Sequence, residues 1–246
     1  MKNEQLWKPT KYVLKKGNLK STSDTKYVSR SSRLMSDLVA NFYATAIPEY
    51  AKGKLLDLGC GLAPLYGVYK NLTTEIVCSD WSNNMSHSAH IDVEQDLNQP
   101  LCFSDSSFDT VLLSDVLEHI YKPNNLLLEI NRILDIDGVL LINVPFLYWI
   151  HERPYDYYRY TEFALKKMLE ENNFEIIQFQ PFGGAMEVLS DTSSKIMNQM
   201  PVIGRMYVAL SYRLTSWFSH TKWGKHISQK SIKAFPLGYA VVAKRK

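Results

Sequence analysis

Two stretches of this chain hold residues whose types and spacing could do chemistry. The first runs Lys54-Leu-Leu-Asp57-Leu-Gly59-Cys60-Gly61. Its apolar residues suit a strand buried on both faces of a sheet. Asp57 falls near the end of that strand. Gly59 and Gly61 then let the backbone turn tightly and approach a ligand with no Cβ in the way. In open α/β sheets ligands bind beyond the carboxyl ends of the strands. The turn departs from the G-x-G-x-x-G pyrophosphate fingerprint, because Pro64 stands at the third glycine position. Asp57 would also repel a phosphate, so this turn suits a cationic or amine-bearing ligand. Asp80 follows 23 residues after Asp57, near the ~20-residue offset at which an acid meets a ribose. Trp81 beside it offers a flat face for a base. The second stretch covers residues 145–160. His151, Glu152, Arg153, Asp156 and Arg159 fall within nine positions there, with Tyr155, Tyr157, Tyr158 and Tyr160 among them. A solvated loop rarely carries so many aromatics, and a buried one must pair its charges. The segment therefore reads as the wall of a substrate pocket, and an Asp156–Arg159 pair would hold its shape.

The order D-x-G-x-G after a strand resembles the first motif of class I S-adenosylmethionine-dependent methyltransferases. Their cofactor carries a sulfonium, an ammonium and no phosphate. Later residues extend the resemblance over about residues 50–145. Asp96 and Leu97 match the family's contact to the adenine amino group. Phe108-Asp109-Thr-Val111 matches its F-D-x-V strand, and Val116-Leu-Glu-His119 its V-L-E-H run. Ser114, at the end of that strand, matches a contact to the methionine part of the cofactor. The pattern H-x-x-P-x-D-x-x-R-x-T from His151 to Thr161 resembles the methyltransferase type 11 group, several bacterial members of which sit in surface-glycan or small-metabolite pathways. The resemblance implies S-adenosylmethionine as cofactor, held by Asp57, Gly59, Cys60, Gly61, Asp80, Trp81, Asp96, Leu97 and Ser114. Methyl transfer needs an aligned acceptor and, for a hydroxyl, removal of its proton. An imidazole titrates near neutral pH, so His151 is the first choice of general base and His119 the second. A His119 that only satisfies a backbone carbonyl is the plainer reading of that residue. Tyr158 and Arg159 are expected to hold an oxygen-rich or anionic acceptor, with Asp156 alongside.

These residues need a doubly wound, mostly parallel, seven-stranded Rossmann-like α/β sheet, with a helical insertion before the last strand. Strands are expected at 54–58, 75–80, 91–93, 108–114, 139–144, 174–179 and 237–243, alternating with helices as such a fold requires. Helices are expected at 31–47, ended by Pro48, and at 64–70. Pro123 at a first-turn position opens another through 134, and Thr161 can cap one to 172. Residues 1–28 are rich in Lys, Ser and Thr and read as irregular structure or a partly ordered arm. The chain divides into a terminal arm with capping helix at 1–50, a cofactor-binding core at 51–182, a helical insertion at 183–235, and a final strand at 236–246. The insertion should hold two helices, 185–199 and 203–219. The second places Ile203, Met206, Tyr207, Leu210, Leu214, Trp217 and Phe218 on one face. Such a stripe is expected to pack as core or lid; a dimer interface and a membrane surface are the alternatives.

A chain of 246 residues is long enough for one α/β domain with insertions. Three cysteines without a C-x-x-C pair give no disulfide framework and no metal signature. No stretch of 18 apolar residues exists to span a membrane. The first residues lack the apolar core of a secretory signal. A cytoplasmic enzyme is the expectation, with peripheral contact at the inner membrane face through 203–219 as an alternative. The net charge of +3 hides an asymmetry of +5 over 1–50, −10 over 51–182 and +8 over 183–246. Basic ends beside an acidic middle must either fold onto it or meet an acidic partner. Asn143-Val-Pro-Phe146 is superficially like the N-P-P-F motif of nucleic-acid amino-methyltransferases. It lacks the first Pro and follows the fifth strand, so nucleic acid is not expected as a partner. The function expected is O-methylation of a sugar, glycan precursor or other small oxygen-rich metabolite. A lipid or quinone methyltransferase at a membrane surface is the alternative, and a non-catalytic S-adenosylmethionine-binding regulator the second.

Overall fold

The computed structural model describes residues 1–82 and 88–246. Its centre is a seven-stranded sheet. In chain order the strands are β3 (Lys54–Leu58), β4 (Glu75–Asp80), β5 (Val93–Glu94), β6 (Phe108–Ser114), β7 (Leu134–Pro145), β8 (Phe174–Phe182) and β9 (Gly238–Arg245). They lie in the order β5-β4-β3-β6-β7-β9-β8. The pairs from β5 to β7 are parallel, and β9 runs antiparallel between β7 and β8. This is the mostly parallel, Rossmann-like arrangement the sequence predicts. It also places the last strand inside the sheet, next to β7.

Alternate residues of the central strands face two cores. Leu56, Leu58, Val111, Leu113, Leu140 and Ile142 pack on one side with Leu126, Leu127, Ile130 and Ile133 of α3 (Pro123–Ile133) and with Leu165 and Leu169 of α4 (Glu162–Glu171). Leu55, Leu112, Leu141, Ala240 and Val242 face the other, against Val39, Phe42, Tyr43 and Ile47 of α1 (Arg33–Tyr50). Burying each such side chain stabilises the fold by roughly 1.5–3 kcal/mol, so these two layers hold the sheet. The Thr161 hydroxyl accepts from the Ala164 N–H and caps α4, as expected.

Several local expectations change. Pro48 does not end α1 but sits in its last turn, where the missing N–H forfeits one intrahelical bond. The helix after β3 is a single turn, α2 (Tyr66–Tyr69), and the third sheet strand shrinks to Val93–Glu94. Of the two readings of residues 1–28, the partly ordered arm is the one found. These residues hold a hairpin of β1 (Tyr12–Lys15) and β2 (Asn18–Ser21), whose turn residues Lys16 and Gly17 both have positive φ. Lys-Gly is a weaker hairpin signal than Asn-Gly. Tyr12 and Leu19 of the hairpin are buried in the α1 side of the core.

The segment between β8 and β9 holds three helices rather than two: α5 (Ala185–Met197), α6 (Ile203–His220) and α7 (Lys222–Ser231). The apolar stripe of α6 does not pack as core or lid. Its inward face is small and polar, with Gly204, Val208 and Thr215 buried. Ser211 on that face meets Ser190 of α5 at 2.8 Å, and Ser219 and Ser228 donate to Glu187. The apolar residues face outward instead: Met206 is 71% exposed, Trp217 68% and, on α7, Trp223 77%. Hydrogen bonds between polar side chains join these helices. Periodicity identified the stripe but could not say which face turns inward.

Candidate functional site

Asp57 is buried on β3 and accepts a hydrogen bond of 2.7 Å from the Tyr69 hydroxyl. Burial pushes its carboxyl up to about 7, against the hydrogen bond from Tyr69 that pulls it down. The chain then turns through Gly59 and Gly61, at φ +73° and +51°. A Cβ on Gly59 would lie 2.5 Å from Val116 Cγ2, whereas one on Gly61 would meet open space. The Gly59 and Cys60 N–H groups donate to the Ser79 carbonyl at 2.8 and 3.1 Å, and Cys60 is buried. Gly61 N–H donates to Asp80 Oδ2 at 2.6 Å, and Trp81 N–H to Asp80 Oδ1 at 2.7 Å. The acid at the end of β4 thus ties down the glycine turn at the end of β3. Trp81 meets Tyr155 edge-on, ring centroids 5.1 Å apart. Asp96 is exposed and accepts from the Asn98 backbone at 2.9 Å, while the Leu97 side chain is buried in the α3 side of the core.

Ser114 ends β6, and its hydroxyl donates to Asn143 Oδ1 on the neighbouring β7 at 2.9 Å. The same oxygen accepts from Tyr43 on α1 at 2.7 Å, and the Asn143 amide donates to Asp115. Lys11, just before the hairpin, reaches Asp115 at 2.7 Å. Burial opposes the Lys11 charge, but Asp115 outweighs it and raises the ammonium pKa. The Asp115 carboxyl is lowered in return, mainly by Lys11 against its own burial. The sequence did not single out Lys11 and marked Asn143 only through the Asn143-Val-Pro-Phe146 run; their partner Asp115 lies 104 and 28 positions away.

Segment 145–160 folds back over this edge. Asp156 takes both terminal nitrogens of Arg159, at 2.6 and 2.7 Å, and the backbone N–H of His151 at 2.9 Å. Burial alone would raise the Asp156 carboxyl, but these donors hold it at about 2. Arg159 also donates to the carbonyls of Tyr148, Trp149 and Tyr158. All five donors of its guanidinium are thereby spent on the loop. Arg159 thus braces the segment, as the expected Asp156–Arg159 pair would. Tyr158 donates to the Tyr121 carbonyl at 3.1 Å and stacks on Tyr160. Tyr158 and Arg159 also line a surface cavity of about 530 Å³ with Lys122, Thr161 and Met168.

His151 and His119 meet edge to face, ring centroids 4.8 Å apart, over Glu118. Glu118 is fully buried, and neither of its carboxylate oxygens has a hydrogen-bond partner among the described residues. Burial raises its carboxyl well above the usual range. The His119 and His151 Nε2 atoms lie 3.7 and 3.8 Å from Glu118 Oε1. Their Nδ1 atoms point elsewhere, to the Tyr155 carbonyl at 3.1 Å and to Asp156 Oδ2 at 3.2 Å. Burial, helped by His119, lowers the His151 pKa. His119 does satisfy a backbone carbonyl, yet it also faces the site. Glu118 was legible only as part of the V-L-E-H run.

A buried Asp57, an open glycine turn and carboxylates at the ends of three adjacent strands fit a ligand with a cationic centre and a ribose. They fit S-adenosylmethionine and do not fit a pyrophosphate. A family model described as "Methyltransferase domain" matches residues 27–179. Similar solved structures include an S-adenosylmethionine-dependent methyltransferase from Archaeoglobus fulgidus. It is 19% identical with TM-score 0.56, over 85% of this chain and 93% of that one. Another, from Mesorhizobium loti, is 16% identical with TM-score 0.51, over 82% and 97%. The [4+2]-cyclase SpnF is also similar, 17% identical with TM-score 0.54, over 85% and 82%. No curated protein matches this chain. The chain belongs to the methyltransferase-domain family and is a class I S-adenosylmethionine-dependent methyltransferase. The hairpin and the three-helix insertion lie outside the matched residues.

Proposed function

We propose that this methyltransferase acts on a hydroxyl oxygen of a sugar, a glycan precursor or another small oxygen-rich metabolite. S-adenosylmethionine, when bound, supplies an electrophilic methyl group on a sulfonium. In this reading the turn at Asp57, Gly59, Cys60 and Gly61 and the side chain of Ser114 hold its methionine end. Asp80 takes the ribose, and Trp81, Asp96 and Leu97 the adenine. The observation that carries the acceptor class is the cluster of Glu118, His119 and His151. Two imidazoles face a buried carboxylate there, and the Tyr155 carbonyl at His119 Nδ1 leaves that ring's Nε2 free to accept. A hydroxyl, which must give up a proton, suits such a cluster. His151 is the residue we assign to that hydroxyl, with His119 second. Asp156, Arg159 and Tyr158 hold the loop that presents His151.

His151→Ala should lower turnover by about 10²–10⁴-fold and leave S-adenosylmethionine binding unchanged by calorimetry. Near-normal turnover with any acceptor would remove His151 from the reaction.

One observation favours a second reading, in which the acceptor is a lipid or quinone. The outward face of α6 and α7 is apolar and basic. Ile203, Met206, Leu210, Leu214, Trp217 and Trp223 are exposed beside Arg205, Arg213, Lys222, Lys225, Lys230 and Lys233. Residues 192–246 contain no acid at all. Exposed tryptophans among cations match the charge and polarity of an anionic bilayer surface. No helix among the described residues is long and apolar enough to cross a membrane.

A further inference from the structure

We propose that Glu118, His119 and His151 form a binding site for one divalent transition-metal cation of the Zn²⁺ or Co²⁺ type. The inference rests on the methyltransferase reading for its role in the reaction, but its geometry stands by itself. One atom from each residue can be chosen so that all three lie within 4.8 Å of one another. Two of the separations, from Glu118 Oε1 to each Nε2, are 3.7 and 3.8 Å. Ligands at ~2.0–2.1 Å around a tetrahedral cation stand about 3.4 Å apart. The two Glu118 separations need to close by only a few tenths of an ångström, and the third, within 4.8 Å, by up to about 1.4 Å.

The surroundings are those of a ligand set without its cation. Glu118 is fully buried, and its two oxygens have no donor among the described residues. Burying a carboxylate in this way is costly unless a positive charge meets it. His119 Nε2, which faces it, is an acceptor in the tautomer its partner favours, because the Tyr155 carbonyl holds the proton on His119 Nδ1. His151 Nδ1 lies between Asp156 Oδ2 at 3.2 Å and Arg159 Nη2, a donor, at 3.4 Å. A cation at His151 Nε2 would select the tautomer whose Nδ1–H faces Asp156. A metal-bound histidine almost always gives its other N–H to a carboxylate or carbonyl in this manner. Glu152 Oε2 lies 3.6 Å from His119 Nε2 at the exposed rim, a further oxygen within reach.

Two imidazoles and one carboxylate suit a borderline transition metal better than Mg²⁺ or Ca²⁺. Three protein ligands leave a coordination position for an acceptor hydroxyl. There the cation lowers the pKa of the hydroxyl: the O–H bond breaks, the proton passes to solvent, and the electron pair stays on the oxygen. With the cation bound, this route replaces the direct proton transfer to His151 assigned above, and His151 serves the acceptor as a ligand of the cation.

Chelator-treated protein should bind one Zn²⁺ per chain by calorimetry, and Co²⁺ should give visible d–d bands. Glu118→Gln, His119→Ala and His151→Ala should each weaken binding by more than the ~10–100-fold that losing an outer partner costs. Asp156→Asn should fall within that range. His226→Ala, on the exposed face of α7, should change nothing. Should a variant fail to fold, Co²⁺ should still protect His119 and His151 of the unaltered protein from diethyl pyrocarbonate. Absence of stoichiometric binding, or binding that survives Glu118→Gln and vanishes with His226→Ala, overturns the site. S-adenosylmethionine binding is measured alongside. Normal cofactor binding without metal binding sinks the metal site only, and the reverse result sinks only the cofactor assignment.

Discussion

Gly59 and Gly61 share a left-handed backbone but differ in what surrounds them. At Gly59 a Cβ would strike Val116, while at Gly61 it would point into open space. Gly59→Ala should therefore lower stability by about 1–3 kcal/mol through strain and overlap. Gly61→Ala should cost less stability, yet it places a methyl group where the cofactor is expected to approach. Urea denaturation and S-adenosylmethionine calorimetry on both variants would separate the effects; equal loss of affinity and stability at Gly61 would deny it a binding role. Asp57 carries a second residue-scale prediction. Its neighbours are the Tyr69 hydroxyl and the Asp80 carboxylate, and burial raises its pKa from 3.8 to about 7. The folded state then holds a proton that the unfolded chain has already released. Stability from this group is complete below about 4 and is lost as pH rises through about 7. Asp57→Asn should flatten the stability–pH curve across that window. A curve unchanged by the substitution would mean that Asp57 titrates normally.

The elements that place these residues depend on few polar contacts. The hairpin β1–β2 docks by burying Tyr12 and Leu19 and by the Lys11–Asp115 pair. Both side chains of that pair keep partial exposure, 31% and 23%. Lys11→Met should thus cost only about 1–2 kcal/mol of stability. It should have a larger effect on the site, because Asp115 is also fixed by Asn143, which Ser114 and Tyr43 hold in turn. A weakened affinity for S-adenosylmethionine, measured on the folded variant, is the expected outcome; unchanged affinity would make the hairpin a purely structural cover. The insertion reaches the same loop from the other end. Lys195 of α5 pairs with buried Asp191, and its ammonium lies 3.8 Å from the centre of the Tyr148 ring, three residues before His151. Hydrogen bonds of Glu187 with Ser219 and Ser228 join α5 to α6 and α7.

At the scale of the whole molecule, the acidic centre and basic ends resolve differently at the two ends. The first basic segment folds onto the centre through Lys11, whereas the cations of α6 and α7 face outward beside exposed tryptophans. Vesicles containing phosphatidylserine should bind the protein at low salt and release it as salt screens the attraction. Trp217→Ser with Trp223→Ser should abolish binding. Indifference to the vesicles, or a dimer in solution that hides both tryptophans, would turn the surface over to a second copy of the chain. The repeating unit of the core was legible along the chain. Strand hydrophobicity and the glycine turn depend on near neighbours, and near neighbours fix backbone turns and strand periods. The capping Thr161 was legible for the same reason. The Asp156–Arg159 pair was legible from spacing, but the three carbonyls that take the other donors of Arg159 were not, because only the folded loop brings them together. Lys11 beside Asp115, His119 and His151 over Glu118, and the outward turn of the α6 stripe are likewise products of tertiary structure. Spacing along a chain sets which side chains share a face, while packing alone decides what that face meets.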